Sequence, residues 1–245
     1  AGEVTALGTQ RRDVEERNRQ RLRKKPELLL DMATDRKSVF RQADLEKIAA
    51  SYLDDATAGK DLAERALAHS SVVKLEDHAG EGARGKFTTK GMVKLEAGMI
   101  ERALKMNEVT GYGAHIGAVR AALEAKPFLS DEQSQAVSHV TGRGRIAVVS
   151  GMAGAGKSTM LDTAREAWER SGYEVKGAAL AGIAAQGLQE SAAIPSRTLH
   201  SWEMSWNNGR DLLKKGDVFV IDEGGMVGSK QLARVLQAVD KAGAK

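Results

Sequence analysis

The feature that most constrains this chain is the run Gly151-Met152-Ala153-Gly154-Ala155-Gly156-Lys157-Ser158, a full G-x-x-x-x-G-K-S. Its glycines let successive backbone N–H groups converge on phosphate oxygens where a Cβ would crowd them. Lys157 is spaced to reach β- and γ-phosphates, and the Ser158 hydroxyl to ligate Mg²⁺. Gly151, Gly154, Ala155, Gly156, Lys157, Ser158 and Thr159 are therefore the candidate phosphate-binding residues. The flanks agree: Ile146-Ala147-Val148-Val149 predicts a buried strand just before the loop, and Met160, Leu161, Ala164 and Trp168 mark a helix just after it. From average residue usage, a chance match in a chain of this length is on the order of 1–3% before that context is required. Strand, loop and helix together predict an α/β P-loop domain built on a parallel sheet.

Two further segments fit that domain. Asp217-Val218-Phe219-Val220-Ile221-Asp222-Glu223 holds the continuous apolar run of a central parallel strand covered on both faces. It ends in two carboxylates at the edge where α/β sheets bind ligands. Asp222 is placed to hold the hydration shell of Mg²⁺, and Glu223 to orient or deprotonate an attacking water. The plain alternative is a buried strand capped by solvated acids. Upstream, Leu129-Ser130-Asp131-Glu132-Gln133 precedes the P-loop strand. Ser130 with Gln133 fits an S-x-x-Q capping box, so Gln133 has a structural role available as well as a functional one.

Composition narrows the class. Zero Cys excludes a disulfide scaffold, a Cys-ligated zinc site and thiol catalysis. No apolar run approaches a membrane span, and the first twenty residues hold neither a signal-peptide core nor an initiator Met. That suggests a processed or excised piece, cytoplasmic by default. The net charge of +4 suits a polyanion without demanding one, and aromatic residues at 4% leave few platforms for stacking bases.

Along the chain, four regions are predicted: a charged helical segment over 1–35, a small module over 36–108, a connecting helix within 109–130 and an ATPase-type domain over 131–245. Six basic residues within Arg17–Lys25 read as a solvated helix or as a phosphate-contacting arm. In the second region Leu45, Ile48, Ala49 and Tyr52 recur at helical spacing, and Lys60–His69 forms a second helix. A strand at 71–75, a hairpin loop at 81–85, a returning strand at 86–88 and a helix through Met92, Leu95, Met99, Ala103 and Met106 follow. Helix, helix, strand, wing, strand is the order of a winged helix, a fold that binds DNA in some proteins and packs against protein in others.

Taken together, Gln133, GMAGAGKS and IDEGGM resemble the first RecA-like motor domain of a superfamily-1 DNA helicase of the RecD-like branch. The resemblance implies ATP and Mg²⁺ as cofactors, and it implies that Gln133 reads the adenine edge. It places Ala178–Ala185, with Ala181 and Gly182, against single-stranded DNA, and likewise Thr198 and His200 of Ser196-Arg197-Thr198-Leu199-His200-Ser201. Relatives run D-E-A-G-M where this chain has Asp222-Glu223-Gly224-Gly225-Met226, so Gly replaces Ala after the carboxylates. VIDEGGMVGSKQLARVL, LAGIAAQGL and SRTLHSW narrow the resemblance to conjugative relaxase–helicases of the Ti-plasmid TraA type. It is specific over 129–245 and diffuse over 1–128.

What that family does is then the expectation: ATP-driven 5′-to-3′ movement on single-stranded DNA, with a type IV secretion coupling protein as a further partner. The five histidines, His69, His78, His115, His139 and His200, are scattered, without the paired spacing of a nickase metal site. The chain ends before the third motif and the second motor domain, which carries a charge-stabilising arginine, so nucleotide binding at most is expected of it. Two other classes stay open: a non-enzymatic recognition module and a P-loop kinase.

Overall fold

The computed structural model describes residues 16–35, 37–53, 55–75, 85–152 and 154–245. The hairpin loop expected at 81–85 lies, except for Gly85, outside the described residues, as do residues 1–15. The chain divides into two compact units, Ala1–Ala97 with Gly228–Lys230 and Gly98–Val227 with Gln231–Lys245.

In the first unit, helix α1 covers residues 16–24 among those described. It is followed by α2 (Leu28–Ala33), β1 (Phe40–Arg41), α3 (Gln42–Ala50), α4 (Ala56–Leu67), β2 (Val72–Lys74) and β3 (Lys86–Thr89). The strands form an antiparallel sheet in the order β1-β3-β2, with Val72 opposite Thr89 and Phe40 opposite Phe87. The apolar spacing of the sequence delivers the core: Leu45 and Ala49 of α3 meet Leu62, Ala63 and Ala66 of α4 and Leu29 and Leu30 of α2, all buried. The Asp55 carboxylate accepts the Thr57 N–H and starts α4. β1 had no signal in the pattern, because two residues are too few to show a period.

Helix α5 (Lys90–Glu108) runs unbroken through the dividing line at 97 and 98, where the pattern put the module's end at 108. The second unit continues with α6 (Ile116–Glu124), α7 (Asp131–Val140), α8 (Lys157–Arg170), β4 (Glu174–Ala179), α9 (Gly182–Ala192), β5 (Ser196–Thr198), α10 (Leu199–Asn207), β6 (Asp217–Ile221), a 3₁₀ turn (Gly224–Met226) and α11 (Ser229–Ala242). Its sheet is parallel, in the order β5-β4-β6, with Gly177 opposite both Ser196 and Val220.

Strand alternation sorts this sheet's side chains onto two faces. Val175 and Val218 pack with Met160, Ala164 and Trp168 of α8 and Leu188 and Ala192 of α9. Ala178 and Phe219 pack on the other side with Leu199 and Trp202 of α10 and Val235 and Val239 of α11. Both faces of β6 are covered, as the continuous apolar run required. Trp202 meets Phe219 edge-on at 5.6 Å, and its indole N–H donates to the Gly177 carbonyl at 2.8 Å.

The strand expected at Ile146–Val149 needs correction. Ile146 packs with the α10–α11 side and Ala147 and Val149 with the α8 side, so the alternation is there. No ladder pairs the segment among the described residues, and Val148 is 78% exposed. Residues Ala244 and Lys245 border β6 instead: the Phe219 N–H donates to the Lys245 carbonyl, and the Lys245 N–H to the Asp217 carbonyl, both at 2.9 Å. Arg145 then donates to the Ala244 carbonyl at 2.7 Å and to Asp240 at 2.9 Å. A strand is defined by its neighbour's hydrogen bonds as much as by its own sequence, and the segment lacks that neighbour here.

Gly177 leaves no room for a side chain in the sheet. A Cβ there would lie 2.0 Å from Ser196 Oγ, 2.9 Å from Ile194 Cγ2 and 3.0 Å from Leu188 Cδ2. Overpacking of a filled core costs about 1–3 kcal/mol. Gly177→Ala should therefore lower the unfolding free energy by that amount, read as a lower urea midpoint at unchanged slope. An unchanged midpoint would show that the α9–β5 packing is looser than described.

Candidate functional site

The P-loop leads into α8 through two glycines in the left-handed region, Gly154 at φ +79 and Gly156 at φ +71. Both demand glycine on conformational grounds, whereas Gly151 has no positive φ and ordinary room for a Cβ. Gly156 is the residue before the first helical turn, so the unpaired N–H groups of Lys157, Ser158 and Thr159 open toward the loop. An α-helix N-terminus carries partial positive charge, and this one is fronted by a lysine. Lys157 Nζ donates to the carbonyls of Gly151 and Met152, both at 2.9 Å, which folds the loop around the ammonium. Ser158 is exposed on the first turn.

The capping box expected at the start of α7 is present. The Gln133 N–H donates to Ser130 Oγ at 3.2 Å, and the Ser130 N–H donates to Gln133 Oε1 at 3.0 Å. The side chain does more than cap, because its Nε2 donates to the Ala155 carbonyl at 3.0 Å. That bond joins α7 to the P-loop, and no spacing in the sequence announces it.

Parallel strands put all their C-terminal ends on one edge of a sheet. Off that edge come Ala181 and Gly182 after β4, Thr198 and His200 at the end of β5 and the start of α10, and Asp222 and Glu223 after β6. Asp222 is half-buried, and its N–H donates to the Ala178 carbonyl at 2.9 Å. Its Oδ1 accepts the Glu223 N–H at 3.0 Å. Glu223 is exposed and sits at φ +51, a left-handed conformation that a side chain rarely adopts. The strain falls on the glutamate itself, and neither Gly224 nor Gly225 has a positive φ.

Ala181 and Gly182 are exposed at the start of α9, and His200 is exposed on α10. Thr198 spends its hydroxyl as the cap of α10, accepting the Ser201 N–H at 3.2 Å. Arg197, which drew no attention in the sequence, lies over the Trp202 ring at 3.8 Å and pairs with Asp211 at 2.9 Å. Helix α10 is tied to α11 through Glu203. Burial works to raise that carboxyl, but the Arg234 guanidinium at 2.6 Å and the Gln231 amide at 2.7 Å hold it below the usual carboxylate range, with His200 adding to the effect.

Residues 128–245 match the AAA domain family, a P-loop family, and so take in the capping box, the loop and both carboxylates. A probable conjugal transfer protein TraA from Sinorhizobium fredii is 45% identical over 233 residues, 93% of this chain and 21% of that protein. The conjugal transfer protein TraA of Rhizobium radiobacter is 42% identical over 248 residues, 99% of this chain and 22% of its own. The chain is homologous to conjugal transfer proteins of the TraA type. It spans about a fifth of the length of these curated relatives, which include TraA of Agrobacterium fabrum at 42% identity. The likeness to TraA takes in the first compact unit as well as the P-loop domain. Among the described residues, no helix is long and apolar enough to cross a membrane.

The backbone at Glu223 is open to test. A left-handed non-glycine residue costs about 1–2 kcal/mol, while glycine gives back about 0.4–1 kcal/mol through the freer unfolded chain. Glu223→Gly should leave stability unchanged or raise it by up to about 1.6 kcal/mol in urea unfolding. A clear loss of stability would mean that the carboxylate holds the turn rather than strains it.

Proposed function

We propose that this chain binds ATP–Mg²⁺ through its P-loop and forms part of the first RecA-like motor domain of a DNA helicase acting in conjugative transfer. The observation that carries the reading is the loop itself: two left-handed glycines, a helix N-terminus and Lys157 folded over the same few atoms. Anions bind where unpaired N–H groups and a helix dipole converge. In this reading Gly151, Gly154, Ala155, Gly156 and Thr159 cradle the phosphates. Lys157 leaves its two carbonyls for the β- and γ-phosphates.

Magnesium arrives with the nucleotide and keeps most of its waters, so it needs only one or two protein oxygens. Ser158 and Asp222 supply a hydroxyl and a carboxylate of the right type. Bound Mg²⁺ would contribute neutralisation of phosphate charge. Glu223, exposed beside Asp222, would take the proton of the attacking water. Gln133 would read the adenine edge. Ala181, Gly182, Thr198 and His200, all at the C-terminal edge of the sheet, would line a path for single-stranded DNA. The conjugal transfer proteins to which the chain is homologous support the assignment to conjugative transfer.

The first unit reads best as a winged-helix-like module that meets protein rather than reads DNA, for example a coupling protein of the secretion machinery. The exposed face of α4 carries Lys60, Asp61, Glu64 and Arg65, with Arg65 paired to Asp61 at 3.6 Å. Two acids against two bases make a neutral face, whereas a helix lying in a DNA groove is basic.

Lys157→Ala removes the charge-assisted contact to the phosphates, worth about 1.5–3 kcal/mol. Calorimetric affinity for ATP–Mg²⁺ should fall roughly tenfold to a hundredfold. Equal affinity in both proteins would refute the nucleotide assignment.

A further inference from the structure

Sequence offers Gln133 two roles, helix cap or adenine contact. The geometry points to a third: we propose that Gln133 is a positioning residue that sets the P-loop for phosphate whatever base the ligand carries. The inference rests on reading the loop as a phosphate site.

The side chain is held at both ends. Its Oε1 accepts the Ser130 N–H at 3.0 Å, which fixes it to the first turn of α7. Its Nε2 donates to the Ala155 carbonyl at 3.0 Å, across twenty-two positions of sequence. The chain contains no cis peptide among its described residues. In a trans peptide the carbonyl of one residue and the N–H of the next point in opposite directions. Holding the Ala155 carbonyl against Gln133 therefore aims the Gly156 N–H away from α7.

Without that tether the 155–156 peptide is free to flip. The glycine on its far side, at φ +71, offers little resistance, since glycine accepts both signs of φ. Flipping would present a carbonyl where a phosphate needs a donor. The fit is close on both sides: a Cβ on Gly156 would lie 2.1 Å from Gln133 Nε2. The amide thus occupies the space that the missing side chain leaves. Gln133 is half-buried while Ala155 is exposed, so the bond draws an exposed loop onto a packed helix.

A ligand without a base separates this role from adenine reading. Binding of magnesium tripolyphosphate would be measured by calorimetry for the wild type, Gln133→Met and Ser130→Ala. Gln133→Met keeps the length and removes both polar ends; Ser130→Ala removes the cap partner and leaves the tether. Losing the bond to the Ala155 carbonyl should weaken tripolyphosphate roughly threefold to tenfold in Gln133→Met. Ser130→Ala should bind within twofold of wild type even though its melting temperature falls. Should Gln133→Met fail to fold, Gln133→Ala replaces it under the same criteria. Unchanged tripolyphosphate affinity in the Gln133 variant would overturn the proposal, and so would equal weakening in Ser130→Ala. Should the wild type bind neither tripolyphosphate nor ATP, the phosphate-site reading fails first and takes this inference with it.

Discussion

The hydrogen bond from Gln133 to the Ala155 carbonyl, set against the left-handed turn at Gly156, is the contact on which the candidate site depends. It lies where three things must agree. The loop must turn sharply enough to start α8, its N–H groups must face one way, and α7 must pack on α8 through Val137, Val140 and Met160. Only glycine satisfies the first and leaves room for the amide that enforces the second. Lys157 completes the arrangement by gathering the carbonyls of Gly151 and Met152 onto its ammonium. The loop is thus held by its own polar groups in a shape that a phosphate can take over.

The sheet behind the loop explains why the other candidate residues stand where they do. Val175 and Val218 face α8 and α9, and Ala178 and Phe219 face α10 and α11, so β4 and β6 are gripped from both sides. Rigid strands deliver their C-terminal ends to one edge, and each next residue has an assigned place there: Asp222 hangs from the Ala178 carbonyl, and Thr198 caps α10. Glu223 is the exception. Its left-handed backbone is the kind of local strain that packing elsewhere must sustain, and such strain collects at functional sites.

Much of this was legible in the residues. The P-loop, the apolar run ending in Asp222 and Glu223, the S-x-x-Q cap and the hairpin strands all carry short-range signals, because their physics is local: a spacing, a glycine, an alternation. What sequence could not show is pairing at a distance. Ile146–Val149 has the composition and the alternation of a strand, yet no neighbour bonds to it among the described residues, while Lys245 takes the open edge of β6. Arg197 on the Trp202 ring and Gln133 on Ala155 are likewise long-range contacts that no period encodes. β1 was too short to announce itself, and the end of the first unit is hidden inside α5, whose helical pattern does not change there.

The most direct test of the central claim follows the backbone amides of the P-loop by NMR while ATP–Mg²⁺ is added. Amide protons that come to donate to phosphate move downfield, so Gly156, Lys157 and Ser158 should shift strongly and saturate together, with Asp222 following. Saturating ligand that leaves those amides in place while others move would contradict the assignment of this loop as the nucleotide site.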